Sequence, residues 1–259
     1  MKTTATLLLA FISLIQSPFA IAQILPDLAD RILLCPDGGI PHYRSCEDAP
    51  CITEHRDSAG NLLASGNCNE ELKTGEWASF YPNGQLRSKG FIANGQPRGY
   101  WMFYHSNGKK MARGMFTEGQ FELGCVGSGN YKMVAVQTGN WTYWHSNGKV
   151  SIQCRLESNV YAQQRFEGKF TSFFENGQKE SEGLYRNSER TGTWTYWYPN
   201  GQKKCEKTYL YQDCNLYDYI SYECPNGIWT YWNDTGELTK RQTYKDGVML
   251  KEEEFKLKK

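Results

Sequence analysis

The chain has 259 residues, 39% of them hydrophobic, and a formal net charge of +1 from 29 Lys and Arg against 28 Asp and Glu. Those figures exclude a disordered tail and a polycation, so nucleic-acid binding by bulk charge is not expected. The distinctive quantities are 14% aromatic residues, 8 Trp, 17 Tyr and 25 Gly.

Met1-Lys2, an apolar run from Ala5 to Ile15, and the small-x-small triplet Ala20-Ile21-Ala22 before Gln23 read as a secretory signal peptide over residues 1–22. The run is broken by Ser13 and Pro18 and is shorter than the ~20 apolar residues a membrane span needs, so a spanning anchor is not expected. Export to the periplasm or the medium follows. All 9 cysteines lie beyond residue 22, where an oxidising compartment favours disulfides. No Cys-x-x-Cys pair is present, so no structural zinc is expected. Residues 23–50, with Cys35 and Cys46, form a cysteine-bearing N-terminal cap.

From about Cys51 to Gly247 the chain is a repeat. Gly75-Glu-Trp77-Ala-Ser-Phe80-Tyr-Pro-Asn83-Gly84-Gln85 recurs as Gly99-Tyr-Trp101-Met-Phe-Tyr104-His-Ser-Asn107-Gly108-Lys109, shifted by 24 residues. Further copies turn at Asn147-Gly148, Asn176-Gly177 and Asn200-Gly201, with a degenerate one at Thr235-Gly236. A half-repeat with Ala59-Gly60 precedes them. Asn-Gly between apolar and aromatic residues signals a tight hairpin turn, in which both residues accept a positive φ. A lone hairpin is marginal in water, so the units are expected side by side in one all-β sheet of tandem antiparallel hairpins, elongated and twisted or curled. The glycine before each Trp is expected to mark the link between hairpins.

Strand alternation places Trp77, Trp101, Trp141, Phe170, Trp194 and Trp229 on one face. Phe80, Tyr104, Trp144, Phe173, Trp197 and Trp232 fall on the other, beside Thr142, Thr171, Thr195 and Thr230. Either both ladders are core, or one stays partly exposed as a binding strip built on Tyr104, Trp144, Trp197 and Trp232. Insertions at 117–138 and 208–224 interrupt the array. The second is rich in tyrosine, and Tyr211, Tyr217 and Tyr219 supply either an edge-covering hairpin or a contact patch. Residues 248–259 read as a charged C-terminal cap or tail.

The Gly-x-Trp-x-x-aromatic-x-x-Asn-Gly-Lys/Gln unit resembles the variant class of MORN repeats, including the YwqK-type family that carries an antitoxin label. The resemblance covers roughly residues 57–247 and implies β-hairpin arrays used in protein or lipid contact, without an enzymatic activity of their own. A weaker similarity, in aromatic density, is to choline-binding repeats, whose aromatic cages hold a quaternary ammonium.

No catalytic or metal-binding constellation is legible, and no cofactor is expected. His105 and His145 share one repeat slot, where Tyr81, Phe174, Tyr198 and Asn233 stand in other units, so they read as turn residues. Neither a phosphate-cradling loop nor a dinucleotide fingerprint is present. For disulfides, Cys51 and Cys68 lie symmetrically about Ala59-Gly60, which a two-residue loop would place opposite each other. Cys214 with Cys224 spans the second insertion, Cys35 with Cys46 closes a turn-rich segment, and Cys125 with Cys154 would staple the first insertion, leaving Cys205 as a thiol. The expected function is protein binding in the envelope or outside the cell, with wall glycan, choline or a lipid headgroup as the alternative ligand of the aromatic strip.

Overall fold

The computed structural model describes residues 51–69, 72–122, 131–158, 164–211 and 224–256. The chain divides into two units, Met1–Gly38 and Gly39–Lys259, and every described residue belongs to the second. The expected leader, Cys35, Cys46, Cys125, Cys214, Tyr217 and Tyr219 lie outside the described residues, and Cys51 and Cys68 are described in their backbone alone.

Among the described residues the chain forms sixteen antiparallel strands in one unclosed sheet. They are β1 (Cys51–Arg56), β2 (Leu62–Asn69), β3 (Leu72–Phe80), β4 (Leu86–Ala93), β5 (Gln96–Tyr104), β6 (Lys110–Glu122), β7 (Tyr131–Trp144) and β8 (Val150–Ser158). There follow β9 (Gln164–Phe166), β10 (Gly168–Phe173), β11 (Lys179–Arg186), β12 (Glu189–Trp197), β13 (Lys203–Leu210), β14 (Cys224–Trp232), β15 (Leu238–Lys245) and β16 (Val248–Glu254). Each strand pairs with the next in sequence, except that β9 and β10 both lie along β8. The first insertion is a lengthening of β6 and β7, which stay paired out to Glu122 and Tyr131. The expected charged tail begins as β16, paired with β15.

Two local expectations are corrected. The turn asparagines do not carry positive φ; only the glycines do, from Gly84 at +79° to Gly148 at +91°. In each turn the Gly N–H closes back on the residue three before it, as Gly84 to the Tyr81 carbonyl at 2.8 Å, so the asparagine side chain is left for other work. The glycine before each Trp is likewise not the link between hairpins. Those links are short turns such as Asn94-Gly95, Asn187-Ser188 and Asp246-Gly247, with both residues at positive φ. Gly99, at φ +67°, instead sits in a bulge where β5 gains residues over β4, and this breaks the alternation just before Trp101.

The bulge lays each indole over the strand before it. A Cβ at Gly66, Gly90, Gly114 or Gly183 would overlap the ring of Trp77, Trp101, Trp141 or Trp194, so glycine there is a seat for the ring. Trp101, Trp141 and Trp194 are each 1% exposed. Their indole N–H groups are satisfied by backbone: Trp101 donates to the Phe91 carbonyl at 3.1 Å and Trp194 to the Leu184 carbonyl at 3.0 Å. Phe103, Phe116, Tyr143, Tyr185, Tyr196 and Tyr209 fill the gaps edge-on or stacked, making a column of rings along this inner face. Where the seat is Cys154 rather than glycine, the next unit carries Phe170 rather than Trp. Near the C-terminal end Lys207 takes the seat and holds its ammonium 4.7 Å from the Trp229 ring centre, which gives the column a polar end.

Candidate binding surface

The turns are linked from unit to unit by a second ladder. Tyr81 donates its hydroxyl to the Tyr104 carbonyl at 2.8 Å, and Tyr198 to the Trp232 carbonyl at 3.0 Å. His105 and His145 occupy the same slot and point Nε2 at the carbonyls of Trp144 and Phe173, at 2.9 and 2.8 Å. A carbonyl only accepts, so Nε2 carries the proton in both. The turn asparagines work in parallel. Asn83, Asn107, Asn147, Asn176 and Asn200 each donate Nδ2 to a backbone carbonyl of the next turn, at 2.6–2.9 Å. Their Oδ1 atoms accept from the backbone N–H two residues on, as Lys109 to Asn107 at 3.0 Å. His105 and His145 are thereby placed as turn residues. No group of three or more His, Cys, Asp or Glu that could hold a metal gathers among the described residues.

Across the outer face, beside these turns, runs the second aromatic row. Phe80, Tyr104, Trp144, Phe173, Trp197 and Trp232 are all half-buried, in contrast to the inner column. They stand on β3, β5, β7, β10, β12 and β14, every second strand across the sheet, so neighbours are about 10 Å apart. Between them stand amines. Lys110 lies 5.7 Å from the Trp144 ring centre, Lys179 5.5 Å from Trp197 and Lys203 5.9 Å from Trp232. Lys179 is also paired with Glu182 at 3.0 Å, and Lys203 with Glu206. Hydrogen bonding from Lys179 holds the Glu182 carboxyl below its ordinary range.

The indole N–H groups separate the two rows sharply. Those of Trp77, Trp101, Trp141, Trp194 and Trp229 donate to backbone carbonyls. Those of Trp144, Trp197 and Trp232 meet no acceptor among the described residues. One face of each outer indole is already occupied by a lysine of the chain, so a quaternary ammonium would have to displace Lys110, Lys179 or Lys203 to be caged there. Tyr211 does not join the row: its ring lies under the Arg186 guanidinium at 4.3 Å and its hydroxyl accepts from Asn187 Nδ2 at 2.6 Å.

Three apolar side chains that the sequence did not single out are exposed on the last strand, Val248, Met249 and Leu250. Asp246-Gly247 before them was the available hairpin signal.

Cys51 and Cys68 do face each other in register, though through the turn Asp57–Asn61 and a one-residue irregularity at Arg56 rather than through a two-residue loop. Cys224 is buried and disulfide-bonded; its expected partner Cys214 lies outside the described residues. Cys154 is a correction. It is a free, buried thiol directly opposite Trp141, turned into the inner column and not toward a disulfide with Cys125. Burial pushes its pKa up to about 12. Cys205 is free as well.

No helix among the described residues is long and apolar enough to cross a membrane. No curated protein matches the sequence. Among solved structures, the crystal structure of TcdB2-TccC3-TEV is 11% identical with a TM-score of 0.20, and matches 74% of this chain against 12% of its own. The crystal structure of TcdB2-TccC3 without its hypervariable C-terminal region is 9% identical with a TM-score of 0.18, over 74% and 12%. This chain therefore spans about 12% of the length of those chains. The MORN repeat variant matches four segments, residues 73–96, 166–187, 190–211 and 225–246, and the chain is similar to that repeat in those segments.

Proposed function

We propose that this chain is an exported, non-enzymatic scaffold whose outer face binds another protein in the cell envelope or outside the cell. The observation that carries the reading is the row Tyr104, Trp144, Trp197 and Trp232, half-exposed and in register from unit to unit, with three indole donors that meet no acceptor among the described residues. Aromatic side chains with a wet polar edge supply much of the binding energy in protein interfaces. The segment Ala5–Ala22 supports export. Immunity against a secreted toxin is one specific form of this function, and it requires that a toxin co-purify with the protein.

Wall glycan or lipid headgroup is the competing ligand class, favoured by the alternation of rings with Lys110, Lys179 and Lys203. The pairing of Lys179 and Lys203 with Glu182 and Glu206 removes most of the net positive charge an anionic surface would need, and this favours a protein. A photo-crosslinking residue at position 197 in the native envelope tests the choice. A discrete protein adduct, lost on placing the crosslinker at buried position 101, is the expected result. Adducts with lipid or glycan alone overturn the protein reading.

A further inference from the structure

We propose that Asn94 is a site of spontaneous covalent modification, converted by the neighbouring Gly95 nitrogen and water to aspartate and isoaspartate, while the asparagines of the repeat turns are shielded from the same reaction.

The chain carries seven Asn-Gly pairs, which begin at Asn83, Asn94, Asn107, Asn147, Asn176, Asn200 and Asn226. All share the dipeptide that most favours closure of a succinimide, because glycine brings no side chain to block the approach. In that reaction the glycine nitrogen loses its proton and attacks the asparagine Cγ. The Cγ–Nδ2 bond breaks, and ammonia leaves with that proton. Water then opens the ring at either carbonyl, giving aspartate or, with the main chain rerouted through Cβ, isoaspartate. Closure needs a glycine N–H that no acceptor holds and a side-chain amide able to turn toward it.

The repeat turns withhold both. Gly84, Gly108, Gly148, Gly177 and Gly201 each donate their N–H to the carbonyl three residues back, at 2.8–2.9 Å. The amide of each turn asparagine is tied at both ends. Its Nδ2 donates to the next turn at 2.6–2.9 Å, and its Oδ1 accepts from the N–H two residues on at 2.9–3.1 Å. Asn226 lies within β14, and its Oδ1 accepts from the Asp246 N–H at 3.4 Å.

Asn94-Gly95, the link between β4 and β5, is different. Asn94 is exposed, and neither its side chain nor the Gly95 N–H makes a hydrogen bond among the described residues. The other two link turns hold the corresponding N–H: Ser188 donates to the Phe166 carbonyl and Gly247 to the Pro225 carbonyl, both at 2.9 Å. Three hydrogen bonds of ordinary strength, each worth about fivefold, together slow the shielded sites about a hundredfold relative to Asn94.

The two products act differently on the fold. Asp246 stands in the same kind of turn at φ +48°, against +50° for Asn94, so aspartate at position 94 leaves the hairpin intact. Isoaspartate adds a main-chain carbon between Ala93 and Gln96, the pair that closes the hairpin. Gln96 Oε1 accepts from the Ala135 N–H on β7 at 3.1 Å, so the added length bears on β7 as well.

The test ages the folded full chain in mildly alkaline water enriched in heavy oxygen, then digests it in acid and maps the mass of each asparagine-bearing peptide. Label should enter at position 94 about a hundredfold faster than at positions 83, 107, 147, 176 and 200. An isoaspartate-specific methyltransferase should then methylate position 94. Asn94→Gln, whose longer side chain closes the larger ring far more slowly, should abolish both signals. In urea, with every turn unfolded, all the Asn-Gly pairs should react at similar rates. Equal rates at positions 94 and 107 in the folded chain overturn the proposal. A lead for position 94 that persists in urea overturns it too, since the selectivity then belongs to the local sequence and not to the fold.

Discussion

Gly90 lies directly beneath the indole of Trp101, so close that a Cβ at position 90 would overlap the ring. Gly90→Ala should therefore destabilise the protein by about 1–3 kcal/mol, as overpacking of a tight core does. Trp101→Phe alone leaves a cavity. The double variant should lose less than the sum of the two, because it recreates the larger seat and smaller ring found at Cys154 and Phe170. Urea unfolding of the two single variants and the double variant measures this, and strict additivity would refute the seat.

In four units the slot is filled by a donor of similar reach, Tyr81, His105, His145 or Tyr198, rather than by one particular ring, whereas Phe174 fills it without donating. His105→Tyr should be within about 0.5 kcal/mol of the wild type, whereas His105→Phe strands the Trp144 carbonyl and should cost about 1–2 kcal/mol. Equal losses in the two variants would show that the bond contributes nothing.

Fluorescence should divide the tryptophans into two classes. Iodide is expected to quench the half-exposed Trp144, Trp197 and Trp232 and to leave the inner indoles untouched. Replacing the three outer residues by Phe should abolish quenching in the folded protein. Residual quenching in that variant would place an inner indole within reach of solvent.

Cys154 should resist thiol reagents in the folded protein at pH 8 and react once the chain unfolds, because burial raises its pKa from 9.0 to about 12. The folded state favours the neutral thiol, so its contribution to stability is complete below pH 9 and is lost as the pH rises toward about 12. Tyr143 beside it is raised in the same sense, by burial first and by Cys154 second. Cys154→Ala should flatten the alkaline limb of a stability profile between these two values; an unchanged limb would assign it to other groups.

At the acid end the sign reverses. Glu182 is held below its ordinary value of 4.5 by hydrogen bonding from Lys179 and Lys169, so its contribution is present above that value and lost as the pH falls through the folded value. The pair is partly exposed, so the effect should be small and should shrink in salt. Glu182→Gln should remove the salt-dependent part of the acid limb, as followed by thermal unfolding at pH 3 to 5.

The repeat, its hairpins and the inner tryptophan column were legible because each rests on local spacing: Asn-Gly at the turn, and Trp at a fixed distance from it. Three features were not. The glycine ahead of Trp101 carries the same residue type as a linking turn, and only pairing with β4 reveals it as a bulge. Asn107 looks like a residue chosen for its backbone, yet its side chain bonds to Ser146, which is 39 positions away. The Lys110 ammonium over Trp144 depends on register between units, which the interval between Gly108 and Gly139 does not disclose. Cys154 was misread for a related reason: a glycine slot filled by cysteine resembles a disulfide half until the opposing Trp141 is seen.

In the asparagine ladder every acceptor is a main-chain oxygen: of Ser106, Ser146, Glu175, Pro199 or Asp234. The receiving unit thus needs no matching side chain, only a strand ending at the right height. Copies can drift apart in composition, or admit a dozen extra residues between them, without dissolving the join. Such an architecture is modular in the strict sense: one cassette could be lifted out and its flanking neighbours rejoined, each still finding its docking oxygen.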